Sequence, residues 1–486
     1  MHHRGWLLMV AALSLGAAQM FPQAGRGRDR DDLRAQTGHL AALEIETHRL
    51  PTVDVRSYRC EQWQTDDAAL AFLCLGDPGT WYEVEFEGLG AGRPPLDPVA
   101  FSSPIETEET PPTTIGGSVV EIEAKSFAVT DAAPRRFFLP VPGTRGEAVI
   151  ETRSVAQSAG ITVYAEIAEQ TAPVLPELAI HAARLAQAVM ERGTPRYGAC
   201  RDVDGDGHLS LVLTSRLADL STPGGRLDGC VRWQDFCETG VRPTSNAADV
   251  IFLNPQIPDL EQLHAVLAHE YAHLLTFTRR GIGLVPSAVP DEDWLNEAVA
   301  HVLEVELSPG RSNLSPRLQA FIDHPEQSPL VVSDAELAGL WRNPGSRGAG
   351  YLFIDWLRRK GSRQEFDHLL SGPERGVALV EAIAGAEFEV LWSAWAQELW
   401  SCGVDAGDET GLRRQPAAVQ LPREGASTVC RMRGMSVIYL TRPATAEIRV
   451  GLPRTAAWRE VWSNQRPARD RALATRSLFQ EKQPGR

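Results

Sequence analysis

Within LHAVLAHEYAHLLTFTRRG, residues 263–281, a largely apolar stretch carries His269, Glu270 and His273. On a helix, two imidazoles four positions apart project from one face about a turn from each other. They can then reach a single metal ion, while a carboxylate one position round takes a proton from water beside that ion. This is the H-E-x-x-H arrangement associated with zinc hydrolysis. Zinc needs a third protein ligand and an open position. Twenty-four residues after His273, WLNEAVAHVLEVEL places Glu297, His301 and Glu304 at i, i+4 and i+7, a polar stripe on an apolar helix. Each of these groups needs a partner if buried, and a metal satisfies several of them at once.

A second constellation is DVDGDGHLS. Asp202, Asp204 and Asp206 stand at positions 1, 3 and 5 of an EF-hand-like loop, Gly207 at 6 and Ser210 at 9. Such a set suits calcium as a structural clamp. Position 12 is Leu213, so a remote carboxylate, Asp228 or Asp235, would replace the usual glutamate. The bland alternative is a solvated Asp/Gly turn.

These residues need rigid elements. Asp259 with Gln262 reads as a capping box and Arg279, Arg280 and Gly281 as a C-terminal stop, predicting a helix over 260–280. Residues 290–293 open the next helix and Pro309 stops it. Upstream, PELAIHAARLAQAVMERG predicts a helix of about five turns ending at Gly193, and LSLVLT and DVIFLNP predict strands. Helices dominate 293–400. From 53 to 166, runs such as YEVEFEGL, RRFFLPV, EAVIETRSV and ITVYAEI have strand texture, and SVIYL and AEIRVGL predict strands near the C-terminus.

HEYAH followed by WLNEA resembles the gluzincin zinc metallopeptidases, most of all secreted hyicolysin-type neutral metallopeptidases. The likeness covers about residues 161–402. It implies His269, His273 and Glu297 as zinc ligands and Glu270 as general base. Thermolysin-like members carry an acid four residues after the ligand glutamate; here that position is His301. In that family the acid orients a zinc histidine; His301 could instead hydrogen-bond a ligand, stabilise an oxyanion or ligate in place of Glu297, and Tyr351 is a second candidate to stabilise the oxyanion. The metzincin pattern is absent, since Thr276 and Arg279 stand where its glycine and histidine belong.

The implied fold class is α+β. A signal peptide (1–18) and linker (19–50) precede a sandwich-like all-β domain (51–166), which could be a binding module or a pro-segment. A zincin-like domain (167–402) follows, strand-rich above and mainly helical below, then a mixed C-terminal extension (403–486). MHHRGWLLMVAALSLGAAQ has the basic start, short apolar run and small residues of an export signal, which implies a secreted, periplasmic or cell-surface protein. Its thirteen apolar residues are too few to span a bilayer. With 48 basic and 63 acidic residues, the net charge of −15 argues against nucleic-acid binding. Protein or peptide substrates are the expected partners. Export makes disulfides the default for the seven cysteines. Sequence proximity suggests Cys60–Cys74, Cys230–Cys237 and Cys402–Cys430, although Cys200 could pair with Cys230 or Cys237 instead. The expected activity is endopeptidase; the alternatives are a non-catalytic zinc- and calcium-binding scaffold and an aminopeptidase.

Overall fold

Strict alternation makes β3 (Trp81–Leu89) two-faced, with Tyr82, Val84 and Phe86 buried and Glu83 and Glu85 exposed. Its neighbour β2 (Ala69–Cys74) has no polar face and is buried throughout. Leu70, Phe72 and Cys74 enter one core while Ala69, Ala71 and Leu73 enter another. A strand sandwiched between two layers needs such a continuous apolar run. The computed structural model describes residues 53–59, 62–63, 68–89, 134–140, 147–167, 175–220, 226–333, 338–405, 413–419, 425–441 and 447–463. The expected export signal and linker, and Cys60, lie outside these.

β1 is Val53–Arg59. A second group of strands comprises β4 (Arg135–Pro140), β5 (Glu147–Ser158), β6 (Ile161–Glu166), β7 (Leu209–Leu213), β8 (Gly229–Cys230) and β9 (Val250–Leu253). They form one six-stranded sheet in the order β4-β5-β6-β7-β9-β8. β6, β7 and β9 run parallel, and β8 lies antiparallel at one edge. Numbering helices of nine residues or more, α1 is Leu175–Tyr197, α2 Leu260–Arg279, α3 Asp293–Leu307 and α4 Ser315–Asp323. α5 is Pro344–Lys360, α6 Arg363–Ser371, α7 Gly376–Ala384 and α8 Phe388–Cys402. They share one large core with a face of this sheet. Among the described residues, no helix is long and apolar enough to cross a membrane.

The last strands are β10 (Val404–Asp405), β11 (Arg413–Arg414), β12 (Ala418–Val419), β13 (Ser427–Arg433), β14 (Val437–Thr441), β15 (Glu447–Pro453) and β16 (Trp458–Trp462). They correct the expected domain boundaries. One sheet is β1-β15-β3-β13 and another β12-β14-β2-β16, so strands from both ends of the chain interleave. β1 pairs along its length with β15, and β2 lies between β14 and β16. The segment 51–166 is therefore not one β domain. β1–β3 form a sandwich with the supposed extension, whereas β4–β6 belong to the sheet beside the helices. Alternation identifies a strand but not its partner, and here the partners are remote.

Two further expectations change. α1 continues four residues past Gly193. A Cβ there would approach the Tyr271 ring to 2.9 Å, so the glycine permits a close crossing with α2 rather than ending the helix. No disulfide forms among the described residues: Cys74, Cys200, Cys230, Cys237, Cys402 and Cys430 are all free. Cys230 packs into the core on the far side of the six-stranded sheet, while Cys237 packs into the helical core. Cys402 ends α8, and Cys430 packs on the sandwich interior.

Candidate metal centre

α2 is fixed at both ends by local chemistry. The Asp259 side chain accepts from the Gln262 amide at 2.7 Å. At the other end Gly281 adopts φ +68°, and the Gly281 and Ile282 amides donate to the Thr278 and Phe277 carbonyls. This Schellman closure holds the helix end. His269, Glu270 and His273 lie between these caps and are all buried. α3 packs along α2 and brings Glu297, His301 and Glu304 to the same interface, again buried.

His269, His273 and Glu297 each offer a ligand atom, and these atoms lie within 4.8 Å of one another. Glu297 Oε2 is 3.2 Å from His269 Nε2, and Oε1 is 3.7 Å from His273 Nε2. Burial works against ionising Glu297, but the Arg347 guanidinium and both imidazoles hold its pKa well below the usual carboxylate range. Burial lowers His273 to about 4, leaving a neutral imidazole. Burial also pulls His269 down, but carboxylates on both sides of its ring outweigh it and bring the pKa to about 9. Two imidazoles and a carboxylate converging in a buried pocket form a donor set that fits zinc. A cation already sits there, since Arg347 on α5 donates to Glu297 Oε2 and lies 3.2 Å from His269 Nε2.

Glu270 stands beside this set. Burial raises its pKa to about 7, where a carboxylate can both take and return a proton near neutrality. It lies directly under edge strand β8. A Cβ on Gly229 would come within 2.7 Å of Glu270 Cγ and 2.8 Å of Oε1, so only glycine lets the strand approach this closely.

His301 does not face the ligand cluster. It is fully buried and sits against the opposite edge of His269, its ring centroid 4.4 Å away. Its Nδ1 donates to Glu304 Oε2 at 2.7 Å. The same oxygen accepts from His269 Nδ1 at 3.1 Å and from Asn313 Nδ2 at 2.9 Å. Glu304 therefore orients His269, a task expected of position 301, and His301 braces Glu304. A second donor triplet, His269, His301 and Glu304, is thus a hydrogen-bonded network. Tyr351 is buried in the helical core, and burial raises its pKa to about 12. Its charged neighbours are Asp355, Arg311, Arg358 and Arg359. None belongs to the cluster, so neither proposed oxyanion donor is placed for that role.

Glu304 was visible in the polar stripe without an assigned task. Arg347, Asn313 and Gly229 carried no signal of their own, because their positions depend on how α5, the α3–α4 connection and β8 pack.

The Asp202 loop is organised differently from the calcium expectation. Asp202 accepts from the Gly205 and Gly207 amides, and Asp206 from His208 N. Arg135 on β4 pairs with Asp204 at 2.6 Å and approaches Asp206 at 3.7 Å. Ser210 is buried in β7, with Oγ 3.5 Å from the same guanidinium. Asp228 pairs with Arg226, and Asp235 binds Asn246. The loop does bring an oxygen of each of Asp202, Asp204 and Asp206 within 4.8 Å of one another, on exposed side chains, and its positive partner is Arg135.

No family model matches the chain, and no curated protein matches it. Among solved structures, an M1 zinc metallopeptidase from Deinococcus radiodurans is similar over 59% of this chain and 55% of its own, at 14% identity and TM-score 0.27. This chain thus matches about half the length of that protein. So loose a superposition carries no argument, and the site rests on its own geometry.

Proposed function

We propose that this protein is an exported zinc metallopeptidase, acting as an endopeptidase. The observation that carries the reading is the meeting of His269, His273 and Glu297 with Glu270 alongside, all buried on two packed helices. Export rests on the N-terminal sequence, and the zinc type on the donor set.

Zinc bound there would supply Lewis acidity to a peptide carbonyl and to water. Glu270 accepts the proton that water gives up and returns it to the departing amine. Its elevated pKa suits this two-way transfer near neutral pH. Glu304 holds His269 in the orientation that presents Nε2 to the cluster. β8 ends its sheet beside Glu270. An extended peptide aligned along that edge would carry its carbonyls past the carboxylate, as strand addition does elsewhere. An endopeptidase needs such open-ended alignment more than a pocket for a free amine.

A non-catalytic zinc-binding scaffold is the second reading, favoured by the Arg347 contact with Glu297. Replacing Glu270 by glutamine separates the two. On the peptidase reading, wild type cleaves an unfolded protein and Glu270→Gln loses about 10²–10⁴-fold in rate while still binding zinc. Equal inactivity of both proteins with zinc bound would favour the scaffold, and failure of wild type to bind zinc would overturn both.

A further inference from the structure

Arg347 enters the cluster from α5, held by close helix packing. A Cβ on Gly348 would lie 2.3 Å from the Arg317 carbonyl oxygen on α4, and one on Gly350 would lie 3.2 Å from Ala298 Cβ on α3. The glycines therefore let α5 press against both helices and deliver the arginine between them. Its guanidinium binds Glu297 Oε2 and lies 3.2 Å from His269 Nε2, touching two of the three groups in the donor set. The side chain is 17% exposed, so it has a route to water.

We propose that Arg347 is a resident counter-cation of the metal locus, which zinc must displace from Glu297 to bind, so that this arginine sets metal affinity. The inference rests on the zinc reading above. Two cations contend for one carboxylate oxygen. A guanidinium left beside a dication is also repelled in a pocket where water screens little. Arg347 serves the metal-free site by adding a charged donor to a buried carboxylate whose other close partner is the His269 imidazole, and it opposes the metal-loaded one. An arginine that merely oriented Glu297 as a ligand would have the opposite effect, because removing an outer partner of a ligand weakens metal binding.

The test compares full-length wild type, Arg347→Met and Arg347→Lys after chelator stripping. Zinc dissociation constants are measured by competition with a chromogenic chelator, and melting temperatures with and without zinc. Arg347→Met is expected to bind zinc at least about tenfold tighter, with Arg347→Lys intermediate. The metal-free methionine variant should melt below metal-free wild type, and zinc should close or reverse that gap. Unchanged or weaker zinc binding in a folded Arg347→Met protein overturns the proposal. If that variant fails to fold, affinity in Arg347→Lys no tighter than wild type does the same. Absence of zinc binding in wild type would instead overturn the underlying metal reading.

Discussion

Three donors converge on a single oxygen of Glu304, so removing its charge disturbs more than one hydrogen bond. Glu304→Gln should weaken zinc binding about 10–100-fold, measured by chelator competition, with little loss of helix content. Gly229→Ala tests the other side of the site. The added methyl meets Glu270 and Val266, and displacing the base by about 1 Å costs about 10²-fold. The turnover number should therefore fall while zinc stays bound; unchanged turnover would show that β8 does not set the position of Glu270. At this scale the sequence exposes residue types and spacing along one helix, which is why His269, Glu270, His273 and Glu297 stand out. It does not expose which of two buried groups faces which. His301 and Glu304 lie on the same stripe, and only the packing of α3 against α2 turns one to brace the other.

Elements whose ends are set locally are legible, and those shaped by a neighbour are not. Asp259 and Gly281 bound α2 through contacts within a few residues. α4 has no side chain capping its start, which Pro316 alone marks, so its bounds are less legible than those of α2. The loop before β7 offers a test of electrostatics at this level. Asp249 is buried, accepts from the Val203 amide, and is raised to about 7 by burial, with Asp204 and Asp202 adding to the effect. A carboxyl whose folded pKa is raised favours the fold while protonated in both states. That contribution is complete below its unfolded value and is lost as pH rises through about 7. Asp249→Asn keeps an acceptor for Val203 and removes the titration. The variant should match wild type near pH 4, melt above it near pH 8, and show a flatter stability profile between. Parallel profiles would mean that Asp249 ionises freely in the fold.

The sandwich is built from two remote stretches of chain, and its second sheet also covers the helical core through Ala69, Ala71, Leu73, Val437 and Tyr439. Residues 53–167 expressed alone would contain β1–β3 without β13–β16 and β4–β6 without β7–β9. Such a fragment should show no cooperative melting transition by calorimetry, whereas an independent N-terminal domain would show one. Removing residues 425–463 from the full chain should likewise cost solubility and zinc binding, although no candidate ligand lies there. Reading strands one at a time could not reveal this, because pairing partners are chosen by packing across the whole fold.

The pairing of Val53 with Pro453 has a kinetic side. During synthesis β1–β3 leave the ribosome with their apolar faces exposed, and β13–β16 follow only after the whole helical region. The helices bearing the metal cluster have their caps and immediate neighbours within a shorter span and can condense first. Closing so long a loop is slow compared with local contacts, and unpaired strands in the interval invite wrong association. This protein's yield on refolding should therefore depend on concentration far more than the local order of α2 and α3 does, and a chaperone's main task would be to shelter β1–β3 until β13–β16 have formed.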